Sequence, residues 1–260
     1  MYDPRTAIEG AGPPLVYVPG MDGTGLLFYR QIPALSRRYR VVTYTLRDAV
    51  THMSTLVEDL AGVVQRASPD GEPAVVLGES FGGALSLSFA LERPELVSRL
   101  VVLNTFPYFR PQARLRLAIG GIQAMPWKAM GLVRRLTAVR LHSRYTHRAE
   151  IHRFYELTSR ATREGYVNRL RILREYDVRD RLPELTTPTL FLAAERDHLI
   201  PSVQQARYMA ARVPHSTLRM LEGHGHACLI APNLDMAQIL AEWRRPSGAA
   251  IATSDGQAAT

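Results

Sequence analysis

Gly78-Glu79-Ser80-Phe81-Gly82 sets a serine between an apolar run, Ala74-Val75-Val76-Leu77, and a stretch of helical character over residues 83–91. Where a strand turns sharply into a helix, flanking glycines relieve crowding and the serine hydroxyl is displayed at the carboxyl edge of the sheet. A serine hydroxyl is a weak nucleophile until a base removes its proton. That base is usually a histidine, and it needs an acid to hold the right tautomer. Both residue types occur downstream, each just past an apolar run. Asp197 follows Leu190-Phe191-Leu192-Ala193-Ala194-Glu195-Arg196, and the pair His224 and His226 follows Leu218-Arg219-Met220-Leu221-Glu222-Gly223. The 29 residues from Asp197 to His226 leave room for one helix and one strand. Serine, acid and histidine in that order point to acyl transfer through a covalent acyl-enzyme. Glu195 is the rival acid, but it lies closer to the strand and alternation points it away from Asp197. His224 is the rival base.

These residues require a scaffold that brings distant strand ends together. Six short apolar runs, at 15–18, 39–44, 74–77, 100–103, 189–193 and 217–221, read as strands. Helical patterns fall between and after them, at 28–36, 54–67, 81–92, 202–213 and from 227 or 232 to 244. The alternation predicts an α/β fold with a mostly parallel sheet of about six strands and helices on both faces. Ligands in such sheets bind beyond the carboxyl ends of the strands. One connection is too long for a simple crossover. Between 103 and 189 four helical stripes recur, Leu115, Ile119 and Ile122; Trp127, Met130 and Val133; Ile151, Phe154 and Tyr155; and Tyr166, Leu170 and Leu173. This predicts a core formed by 1–106 and 184–245, a helical cap inserted at 107–183, and a disordered tail at 246–260.

With these residues in place, the chain resembles the α/β-hydrolase family over about residues 15–244. The resemblance implies that His226, which begins the last helical stretch, is the base, with His224 a turn or pocket residue. The turn Val18-Pro19-Gly20-Met21-Asp22-Gly23-Thr24-Gly25 resembles the family's oxyanion loop, with proline where many members carry histidine. The resemblance then implies that the backbone N–H groups of Met21 and Phe81 hold the oxyanion, and that Gly20 lies beside the substrate. The same turn is similar to that of plant phytyl ester synthases, which keeps fatty acyl transfer to an alcohol as an alternative to hydrolysis of an ester or thioester. A non-catalytic ligand receptor on the same fold is the reading from another class. A serine at the elbow argues against the family's dehalogenases and epoxide hydrolases, which use aspartate. His142, Tyr145 and Tyr155 are the candidate substrate-binding residues of the cap.

Composition narrows the remaining classes. The 260 residues, 46% of them hydrophobic, suit one α/β domain with a sizeable insertion. The start, Met1-Tyr2-Asp3-Pro4-Arg5, lacks the pattern of a secretory signal, and the most apolar stretch, 115–133, is interrupted by Arg116, Pro126 and Lys128. The single cysteine, Cys228, forms no internal disulfide, which fits a cytoplasmic setting. The net charge of +8 is concentrated: residues 107–183 carry 17 Arg and Lys against 6 Asp and Glu, or +11, leaving 8 − 11 = −3 elsewhere. The positive side chains are arginine except Lys128, and no nucleic-acid module signature accompanies them. Glu79 has no companions at ligand spacing, so no metal is expected; acyl transfer through a serine requires no cofactor, and the expected partner is a small acyl ester or thioester.

Overall fold

The computed structural model describes residues 5–109, 112–132 and 141–243, apart from the side chains at 112, 114 and 115. The expected tail at 246–260, the end of the last helix at Arg244, and Val133 lie outside them. Seven strands form one sheet: β1 (Thr6–Glu9), β2 (Pro14–Val18), β3 (Arg40–Tyr44), β4 (Ala74–Glu79), β5 (Val97–Leu103), β6 (Thr189–Ala194) and β7 (Ser216–Leu221), in the order β1-β3-β2-β4-β5-β6-β7. Every neighbouring pair is parallel except β1 with β3. β1 is the strand beyond the six expected from the sequence. Its four residues, TAIE, are all exposed, so it carries none of the apolar alternation that marks a half-buried strand.

The central strands bury both faces, and alternate residues feed two cores. Val16, Val18, Val76, Leu100, Val102 and Phe191 face one core with α2 (Met53–Ala67) and α3 (Phe81–Glu92). Leu15, Tyr17, Val75, Leu77, Val101 and Leu103 face the other, with the short α1 (Ile32–Leu35) and the C-terminal helix. α3 is apolar on all sides and almost wholly buried; full burial of Leu85, Leu87 and Phe89 contributes roughly 1.5–3 kcal/mol each. α3 therefore anchors the elbow from which it starts.

Between β5 and β6 the insertion carries α4 (Gln112–Ala124), α5 (Arg148–Thr158) and α6 (Arg163–Glu175). The next helix, α7 (Ser202–Ala210), stops short of the expected 213, and α8 (Met236–Glu242) is shorter than the stretch from 227 or 232. The expected last helix is divided. A 3-10 turn at Cys228–Ile230 ends before Pro232, and Asp235 then caps α8 by accepting from the amides of Ala237 and Gln238. The helix expected at 28–36 is likewise reduced to a 3-10 turn, Leu26–Phe28, and α1.

The strand order creates the site. From β2 the chain crosses to β3 on one side, then returns through α2 to β4 on the other, so the carboxyl ends of β2 and β4 lie side by side where the winding reverses. A crevice opens at such a switch point. The turn at 19–25 leaves one strand end and the serine elbow leaves the other.

Candidate active site

Ser80 stands between β4 and α3 with φ 56° and ψ −117°, a left-handed conformation rare for a residue bearing a Cβ. Such strain costs about 1–3 kcal/mol and is held by the surroundings. Its N–H donates to Leu103 C=O at 2.9 Å, and its own C=O accepts from the amides of Gly83 and Ala84 and from Thr105 Oγ1 at 2.7 Å. The flanking glycines are required by close approach. A Cβ on Gly82 would lie 2.2 Å from Val18 O, and one on Gly78 would lie 2.3 Å from Ser86 Oγ. Phe81 opens α3, so its amide is one of the N–H groups that a helix cannot satisfy internally. Across the crevice the Gly20 turn closes through Gly23 N–H to Gly20 C=O, and a Cβ on Gly20 would be only 3.7 Å from Ser80 Cβ. Asp22 stiffens this turn by accepting from the Thr24 amide at 2.9 Å and from its hydroxyl.

Asp197 and His226 meet at the far side. Asp197 lies past the end of β6 and His226 past the end of β7; Nδ1 of the imidazole is 2.7 Å from Asp197 Oδ2. The carboxylate also accepts from the amides of Leu199 and Ile200 at Oδ1 and from the Ser202 hydroxyl at Oδ2. Burial works to raise the Asp197 pKa, but His226 and these donors outweigh it and hold the carboxyl below its usual range. Burial of the His226 ring works to lower its pKa, yet the carboxylates of Asp197 and Glu79 hold it above the ordinary value. Acceptance at Nδ1 by a carboxylate leaves Nε2 free to take a proton from a neighbour.

The rival residues have other work. Glu195 accepts from the Gly223 amide at 2.8 Å and braces the turn before the histidines. His224 Nδ1 lies 2.8 Å from Ser143 Oγ in the insertion, and its Nε2 lies 3.5 Å from Asn233 Nδ2. Burial, with Arg144 nearby, lowers the pKa of His224. Cys228 is fully buried, and its thiol is pushed well up by desolvation and then by Glu79, which leaves it protonated.

Glu79 is buried immediately before Ser80. It accepts from Tyr17 Oη at 3.0 Å, and Tyr17 in turn stacks on Phe28 with 4.2 Å between centroids. Desolvation raises Glu79 to about 7, while the charge of His226 and the Tyr17 hydrogen bond restrain the rise. Among the described residues no group of three or more His, Cys, Asp or Glu could hold a metal.

The four candidates for substrate contact fall in three places. Gly20 is beside Ser80. His142 packs edge-on against Phe154, which clusters with Leu27, Ala227 and Ile230, and burial lowers the His142 pKa to about 4. Tyr155 joins the same apolar cluster, whereas Tyr145 leans over His224 with Arg144 stacked on its ring. Asn104 had no place in the sequence reading. It sits at φ 47° just past β5, donates from Nδ2 to His226 C=O at 2.8 Å, and accepts at Oδ1 from the Ala194 amide at 2.8 Å. An asparagine directly after an apolar strand was the available signal, since Asn tolerates the left-handed region better than most residues.

A family model described as the alpha/beta hydrolase fold matches residues 13–231. The chain is 31% identical over 232 residues to a protein of Cronobacter sakazakii named "Putative carbamate hydrolase RutD", covering 83% of this chain and 84% of that one. Among solved structures, an esterase from Thermogutta terrifontis superposes with a TM-score of 0.82 at 23% identity, covering 92% of each chain. An enol-lactonase from Burkholderia xenovorans does so with a TM-score of 0.76 at 18% identity, covering 86% of this chain and 89% of that one. These two structures are similar in fold.

Proposed function

The chain belongs to the α/β-hydrolase fold family, its relatives are named hydrolases, and from that premise we propose that it is a serine hydrolase cleaving an ester or thioester through Ser80, His226 and Asp197. The observation that carries this reading is the 2.7 Å contact between His226 and Asp197, set across the sheet's carboxyl edge from a serine held in a strained elbow. His226 Nε2 takes the Ser80 proton as Oγ attacks the carbonyl carbon. Asp197 stabilises the imidazolium that results. The Met21 and Phe81 amides receive the oxyanion, each such donor being worth about 3 kcal/mol in the transition state. As the tetrahedral intermediate collapses, His226 returns the proton to the leaving alcohol or thiol. Water then attacks the acyl-enzyme by the same proton route, releasing the acid and restoring Ser80.

The insertion acts as the cap in this reading, and its apolar seam around Phe154, Leu27 and Ile230 lies next to the residue that follows His226. A carbamate, the substrate class in the relative's name, presents the same planar carbonyl to the serine. The test is a panel of a short p-nitrophenyl ester, a thioester and a carbamate, with and without a long-chain alcohol. The wild type turns over at least one member to free acid, and Ser80→Ala loses at least about 10³-fold of that rate. Ester product in place of acid would mark an acyltransferase. No turnover of any member would favour the receptor reading.

A further inference from the structure

Residues Thr162, Gly165, Asn168 and Arg169 recur at helical spacing along one side of α6 and its N-terminal cap, and all four turn toward the core loop that carries Asp48. Thr162 Oγ1 donates to Asp48 Oδ2 at 2.8 Å, and Asn168 Nδ2 donates to Asp48 C=O at 2.8 Å. Arg169 Nη2 donates to Asp48 Oδ1 at 2.7 Å, and its Nη1 donates to Met21 C=O at 3.2 Å. The Arg169 side chain is 2% exposed, so its charge is kept from water by the Gly20 turn above it and the helix beside it. Two glycines make the approach possible. A Cβ on Gly23 would lie 2.1 Å from Arg169 Nη2, and one on Gly165 would lie 2.0 Å from Asp48 Oδ1.

We infer that Arg169 is a positioning residue for the oxyanion turn, and that α6 is fixed beneath that turn as part of the reaction machinery. The inference rests on the acyl-transfer reading above. Arg169 holds the Met21 carbonyl, so the plane of the peptide following Met21 is set by a side chain from the insertion, and the Met21 amide, one peptide unit earlier, is restrained with it. A buried ion pair is a costly means of adding stability, because desolvation offsets most of its attraction. Geometry at a reacting centre is a different matter, since a donor misplaced by about 1 Å can lose of order 10²-fold in rate. Among the described hydrogen bonds the turn is otherwise tied to core segments, through Leu46 N–H to Gly23 C=O and Thr45 Oγ1 to Thr24 C=O. Among the described hydrogen bonds, that from Arg169 is the one that joins the insertion to the turn.

The experiment compares Arg169→Met, Arg169→Lys and Asp48→Asn with the wild type and with Arg174→Met, an exposed arginine of the same helix. Turnover of a short p-nitrophenyl ester is measured with the inhibition constant of a trifluoromethyl ketone, whose serine adduct places an oxyanion in the turn. Arg169→Met is expected to lower kcat at least 10-fold with KM changed less than 3-fold, and to weaken the ketone in parallel. Arg169→Lys recovers part of both, Asp48→Asn shifts both in the same sense, and Arg174→Met shifts neither. Retained kcat and ketone affinity in folded Arg169→Met or Asp48→Asn would overturn the inference, as would loss of fold in every Arg169 and Asp48 variant, which would make the clamp a folding element. A wild type that neither turns over ester nor binds the ketone would instead remove the acyl-transfer reading itself.

Discussion

Asp197→Asn changes no shape and removes one negative charge, and its consequence can be followed atom by atom. Asp197 Oδ1 accepts from the amides of Leu199 and Ile200, so the carboxamide oxygen of an asparagine is drawn to that side. The NH2 group is then left facing Ser202 and His226, where Oδ2 stood. An NH2 can only donate, so Nδ1 of His226 becomes an acceptor and its proton moves to Nε2, the nitrogen needed as the base. The tautomer is wrong, and the imidazolium has also lost its counter-charge. A change of this kind costs about 10⁴-fold in kcat, or ~5.5 kcal/mol at about 1.4 kcal/mol per decade. The pH profile changes as well. In the proposed mechanism turnover requires neutral His226, so its acid limb follows the His226 pKa, which in the wild type is held above the ordinary value of 6.5. Without Asp197, burial gains ground over the remaining Glu79 charge, and the limb moves to lower pH. The assay is kcat and kcat/KM for a short p-nitrophenyl ester between pH 5 and 9. A loss under tenfold, or an acid limb left in place, would refute the assignment of Asp197 as the partner of His226.

His226→Ala should lower kcat by several orders of magnitude, of order 10⁴ or more, with the fold intact by circular dichroism. His224→Ala, which releases Ser143, should keep kcat within about tenfold and instead cost roughly 1–3 kcal/mol in denaturant stability; the opposite pattern would exchange the two histidines. Glu79→Gln removes a charge that raises His226, so the acid limb of kcat/KM should move to lower pH while the alkaline side is little changed. An unshifted limb would show that Glu79 is already neutral where His226 titrates.

The parts of the fold that the sequence displays most openly are those with a strong local pattern. The strands β2 to β6 announce themselves as largely apolar runs bounded by polar or turn residues, β7 alternates apolar with polar residues, and four helical stripes mark the long interval between β5 and β6. Ser80, Asp197 and His226 are visible for a related reason: each sits one to five residues beyond an apolar run, which places it at the carboxyl edge of the sheet. β1 is hidden because an edge strand exposed on both sides needs no apolar side chains. Asn104 and Arg169 are hidden for a deeper reason. Their partners, the His226 carbonyl and the Met21 carbonyl, are main-chain groups 122 and 148 residues away, and no residue type signals a carbonyl that needs a donor. For the same reason Tyr145, close in sequence to His142 and Tyr155, parts from them in space, leaning over His224 while those two stay beside Phe154. Their directions depend on how the insertion packs on the loop after β7, through Ala227 N–H to Leu141 C=O at 2.7 Å and Arg144 N–H to Gly223 C=O at 3.3 Å.

The proposal stands on Ser80 being the group that becomes acylated, and a fluorophosphonate read by intact and peptide mass spectrometry tests that directly. The expected result is one adduct per chain, located on the peptide containing Ser80, abolished in Ser80→Ala and slowed strongly in His226→Ala. An adduct on another residue, or full ester turnover by a Ser80→Ala protein, would contradict it.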